Sequence, residues 1–226
     1  MPQSVVKRFV YSIGTAVSHH TELVHAAQSR PRHAALKGML AEQFAMRVIV
    51  QWEAFIHDLI IAYIARDPSK CLSNSGIKIR KSVTDRFGAV AAGRTTFSEA
   101  LPLDRVGAQG LIDPRGKNVK ATSADLLASV ANENLSAQQA RKFSLNAVDG
   151  QFVDFTTALR NYIAHRSARS WKELVQVKKA LTGAANLPFG GSMSPIGAYL
   201  RSPNHDLHSR AICLAKRLAD IANKLR

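Results

Sequence analysis

Cysteine is scarce in this 226-residue sequence: Cys71 and Cys213 stand alone and far apart. Two thiols at that separation give neither a disulfide framework nor a metal-ligand spacing, so both read as ordinary reduced residues. Acidic residues are scarce too, 16 against 31 Lys and Arg, for a formal net charge of +15. A surplus of that size disfavours a cationic partner and favours a polyanion: nucleic acid, an anionic membrane or an acidic protein. Long apolar runs are missing. No stretch approaches 18 uninterrupted apolar residues, so no membrane span is expected. The N-terminal stretch has Lys7 and Arg8, but Ser12, Thr15, Ser18 and two histidines interrupt what would be the apolar core of a signal peptide. With reduced thiols, this points to the cytoplasm. Period-2 alternation is missing as well, which argues against strands. Aromatics are 7% of the chain, yet they cluster at Trp52–Phe55 and Phe152–Phe155.

What is present is helical periodicity. Val6, Phe9, Ile13, Val17 and Val24 predict a first helix over 5–28, ended by Ser29-Arg30-Pro31. His19 and His20 lie near its far end. Neighbouring helical residues diverge by about 100°, so the pair cannot easily share one ion and reads as solvated. Leu36, Leu40, Phe44, Val48, Trp52, Phe55, Leu59 and Tyr63 predict the longest helix over 33–65, stopped by Asp67-Pro68. Glu53 and His57 are one turn apart on it, a spacing open to a metal pair, a proton relay or an exposed helix pair.

The middle third is basic, with eleven basic and five acidic residues over 66–120. It predicts a helix over 78–92, a loop over 100–122 around Pro102, Gly107, Gly110, Pro114 and Gly116, and short helices over 122–131 and 136–146. Its role is open between a solvated loop system and a nucleic-acid grip. Asp149-Gly150 reads as a break. Pro188, Gly190, Gly191, Pro195, Gly197 and Pro203 predict a loop over 186–203, and a final helix is expected over 206–224. The fold class implied is all-α: one domain over 1–226, a bundle of four or five core helices with two loop-rich insertions.

The chemistry concentrates in QFVDFTTALRNYIAHRSARSW, 151–171. Phe152, Phe155, Leu159 and Ile163 make one apolar stripe, which leaves Asn161 and His165 one turn apart nearly opposite it and Arg160 between the faces. A second Arg–His pair, Arg201 and His208, runs through Pro203, which argues against a helix interior.

The run Arg160-Asn161-Tyr162-Ile163-Ala164-His165 resembles the R-x4-6-H motif of HEPN domains, all-helical proteins best known as metal-independent endoribonucleases. The Trp52–Phe55 run is similar to the early helix of several members. The resemblance implies catalytic roles for Arg160, Asn161 and His165, with Glu53 as an accessory acid. It implies RNA as partner, no metal and no cofactor, and a homodimer that opposes two motif helices. Arg166, Arg169 and Lys172 form a following basic face suited to RNA.

Breaking RNA without a metal needs a base for the 2′-OH, a cation for the phosphorane and an acid for the leaving 5′-oxygen. An imidazole can be the base or acid and a guanidinium the cation. The resemblance also suggests a toxin or phage-defence effector, with an antitoxin or defence-system partner. In the HepT-type subgroup a tyrosine stands two residues after the histidine. Ser167 stands there in this chain, so modification by a partner nucleotidyltransferase is not expected. The alternatives are a non-catalytic helical RNA-binding or protein-interaction module, and a small-ligand or nucleotide-binding relative.

Overall fold

A computed structural model describes residues 1–96, 103–113, 123–184, 189–203 and 208–226. Its described residues are helical and include no named strand, so the all-α expectation holds. Helix α1 (Pro2–Ala26) buries Val5, Val6, Phe9, Ile13 and Ala16. Pro2 suits its first turn, where a missing N–H costs no helical bond. Helix α2 (His33–Arg66) is 34 residues long and is the axis of the fold, packing on α1, α4, α7, α9 and α10. From Leu59 to Ile64 every residue is buried, because neighbours surround that part of the helix. By length and composition α2 could cross a membrane, but 67% of its most apolar window is buried inside the fold. Phe9 of α1 stacks on Phe55 at 4.4 Å and meets Trp52 edge-on at 5.9 Å. Truncating such a buried ring costs about 3–5 kcal/mol.

Helix α3 (Ser69–Arg94) begins nine residues before the expected position and bends at Gly88, where φ is +84°. Only glycine takes that conformation without a steric penalty. Beyond Gly76 its side chains are almost all exposed, so periodicity marked the helix but not a buried face. Helix α4 (Arg105–Ile112) occupies part of the expected 100–122 loop. Asp104 starts it by accepting from the Gly107 N–H at 2.7 Å, and Ala108 is buried. Residues 100–102 and 114–122 of that stretch lie outside the described residues.

Helix α5 (Ala124–Asn134) is capped by Ser123, and α6 (Ala137–Ala140) continues into a 3-10 turn at Arg141–Phe143. Helix α7 (Ala147–His165) corrects the expected break at Asp149-Gly150. Asn146 caps the helix through the Asp149 N–H at 2.8 Å, so both residues lie inside its first turn. Asp149 is buried and ion-paired to Arg217 at 2.6 Å and Lys224 at 2.7 Å, which ties α7 to the C-terminal helix. Gly150 passes α5 so closely that a Cβ would stand 3.2 Å from Ala124.

Helix α8 (Ala168–Ala184) follows after two residues. Just beyond it, Phe189 lies 5.5 Å from Phe152 and 5.4 Å from Phe155, so the chain has returned to the early turns of α7 and the two helices are antiparallel. The expected 186–203 loop contains helix α9 (Ile196–Arg201), whose Ile196, Tyr199 and Leu200 are buried. Tyr199 donates to the Phe189 carbonyl at 2.6 Å. Prolines and glycines marked the turns on either side but concealed this short helix, which α2 supports from below. Helix α10 (Arg210–Lys224) starts four residues later than expected, at the Ser209 cap; 206 and 207 lie outside the described residues.

Candidate active site

Helix α7 ends at His165 because Arg166 turns left-handed, with φ +48°. That conformation is costly for arginine. Three contacts hold it: its N–H bonds the Tyr162 carbonyl at 2.8 Å, its guanidinium lies 5.2 Å over the Tyr162 ring, and it pairs with Glu42 of α2. Ser167 then starts α8, its Oγ accepting from the Ser170 N–H at 3.1 Å. A helix cap thus occupies the position two residues after His165. Tyr162 and Trp171 meet across the corner at 4.9 Å.

Arg160, five residues before the end of α7, faces α2. Its Nε is 3.7 Å from Glu53 Oε1, and its Nη1 donates to the Asn161 side-chain oxygen at 3.2 Å. The Nε atom is buried and makes no hydrogen bond of its own. About a third of the Arg160 side chain stays open to solvent, at 37%. The guanidinium is thus held by Glu53 and Asn161 with part of its edge free. Asp154 is not its partner: that carboxylate accepts from the Ala124 N–H at 2.9 Å, at the start of α5.

The chain brings Glu53, Arg160 and Asn161 into contact, whereas His165 lies one turn further on. His165 is exposed, and no hydrogen bond from a described residue meets its ring. Asn161 accepts from Arg160 through its side-chain oxygen, and among the described residues no hydrogen bond joins Asn161 to His165. Among the basic residues that follow, Arg166 is committed to Glu42. Arg169 and Lys172 are exposed at the start of α8 and have no salt bridge among the described residues.

His57 is buried, so the exposed-pair reading of Glu53 and His57 does not hold. No group of three or more His, Cys, Asp and Glu among the described residues could hold a metal. The histidine pair of α1 is split. His19 is exposed, but His20 is buried and stacks on Phe44 at 4.3 Å, which corrects its reading as solvated. Burial lowers the His20 pKa.

Sequence reasoning missed Glu42. The signal was its spacing: Glu42 and Glu53 are three turns apart on α2 and therefore share a face, the one that α7 covers. Comparison with family models, with curated proteins and with solved structures finds no match.

Proposed function

We propose that the protein is a metal-independent endoribonuclease of the HEPN type, cytoplasmic and working as a homodimer. One observation carries the reading. A guanidinium backed by Glu53 and Asn161, with an edge open to solvent, precedes an exposed imidazole by five residues on one helix. Arg160 would fork onto the phosphate oxygens, its orientation set by Glu53. His165 would move the proton, as base on the 2′-OH or acid on the 5′-oxygen. One motif helix supplies one histidine, so a second protomer supplies the other. Light scattering that finds a monomer at working concentration counts against this. Products carry a 2′,3′-cyclic phosphate and a 5′-OH, and the need for a 2′-OH restricts the activity to RNA.

Arg169 and Lys172, on the exposed start of α8, would track the strand beside the site. A toxin or defence role, with a protein partner that restrains it, follows from the same resemblance.

The second reading is a helical RNA-binding module without catalysis. It draws on the exposed position of His165, whose ring no described residue orients.

Incubation with RNA in EDTA, beside His165→Ala, separates the two. Cleavage that survives EDTA and falls about 100-fold or more in the variant supports catalysis. RNA bound but uncut, equal cleavage by the variant, or cleavage abolished by EDTA removes it.

A further inference from the structure

A cavity of about 360 Å³ opens between α1, α2, α9 and α10, and none of its described lining residues belongs to the candidate active site. Its size falls among small-molecule sites, which run from about 300 to 1,000 Å³. Among the described residues the lining contains Lys37 and Arg201 and no Asp or Glu. Among the described residues neither cation has a salt bridge. Two cations lining one hollow favour an anion there. Arg201 and His208 are the Arg–His pair that Pro203 keeps out of a helix interior. Arg201 ends α9, and Pro203 bridges antiparallel to Ser209, which brings His208 back to the same hollow.

Further donors stand among the described residues at the wall. Lys216 Nζ stands 2.9 Å from His208 Nε2. An ammonium can only donate, so Nε2 accepts and the other ring nitrogen keeps its proton. Ser209 adds a hydroxyl whose proton is available, whereas the Thr21 hydroxyl donates to the Val17 carbonyl at 2.9 Å. His20 closes the inner side, its ring fixed against Phe44. Val24 and Ile212 add an apolar side, which a bare inorganic anion would leave unused.

We infer that this cavity binds a small phosphate monoester, its phosphate between Lys37 and Arg201 and its organic body against Val24 and Ile212. The inference does not rest on RNA cleavage. Lys37 and Glu53 are 16 residues apart on α2, about 24 Å of helix rise, so the cavity lies well away from Arg160.

Isothermal titration of the full chain tests it with four probes: inorganic phosphate, adenosine 5′-monophosphate, adenosine and a single-stranded RNA oligonucleotide. The monophosphate should bind saturably, more tightly than phosphate, and adenosine should give no measurable heat. Lys37→Gln and Arg201→Gln should each weaken the monophosphate about tenfold or more, and Lys37→Arg should retain most of the affinity. Circular dichroism of each variant should match the parent, since neither side chain makes a hydrogen bond with a described residue.

Affinity unchanged in both glutamine variants overturns the site, as does adenosine binding equal to that of its monophosphate. Equal affinity for phosphate and monophosphate overturns the ester. RNA that displaces the monophosphate, and itself depends on Lys37 and Arg201, overturns the small ligand in favour of a strand.

Discussion

Arg160 illustrates how little a residue's identity says about its state. Its charge and position are plain in the sequence, but Glu53, 107 residues earlier, sets its orientation. Arg160→Lys keeps the charge and loses the planar fork. If the site cleaves RNA, this variant should retain partial activity, above an alanine at the same position and below the parent, in a single-turnover RNA assay. Equal rates for lysine and arginine would mean that only a point charge is needed.

His20 gives a prediction about pH. Burial lowers its folded-state pKa below the ordinary 6.5, so the unfolded chain takes up the proton first. Above that value both states hold a neutral ring, and the group contributes no pH dependence. As pH falls through 6.5 toward the lower folded value, the folded state loses ground. Urea midpoints measured from about pH 7.5 to about pH 5 should fall, and His20→Phe, which keeps a ring on Phe44, should reduce the slope.

At the scale of elements, α9 and α2 touch through backbone. A Cβ on Gly197 would stand 2.8 Å from the Gly38 carbonyl oxygen and 2.8 Å from Glu42 Oε1. Neither helix can yield without moving the other, so Gly197→Ala should destabilise by about 1–3 kcal/mol. Glu42 also pairs with Arg166, so the same change disturbs the α7–α8 corner. Gly14 is the control. It sits in the middle of α1 with nothing within 4 Å of its would-be Cβ, so Gly14→Ala should stabilise by about 0.5–1 kcal/mol. Thermal melts of the two variants should shift in opposite directions. The long helices were legible because their apolar residues repeat every three or four positions. Helices α4 and α9 were not, since eight and six residues are too few to display a period.

At the scale of the whole molecule, the excess of 15 positive charges dominates any encounter with a polyanion. If RNA is the partner, the logarithm of affinity should fall steeply and linearly with the logarithm of salt, by about 0.7 per phosphate neutralised on a single strand. Removing Arg169 and Lys172 together should flatten that slope by about 1 to 2. A flat slope in the parent would point to an acidic protein surface or an uncharged ligand.

The sequence by itself determined the all-helical class, the core stripes of α1, α2 and α7, and the gathering of Arg160, Asn161 and His165 on one helix. These are local properties: a helix repeats over a few residues, and its apolar face is written at that spacing. Tertiary structure alone decided that Glu53 backs Arg160, that Glu42 holds Arg166, that His20 is buried, and that Lys37, Arg201 and His208 share a cavity. The Glu42–Arg166 pair joins positions 124 apart in the chain. No local period carries such a pairing, because it depends on how three-dimensional packing brings one helix across another.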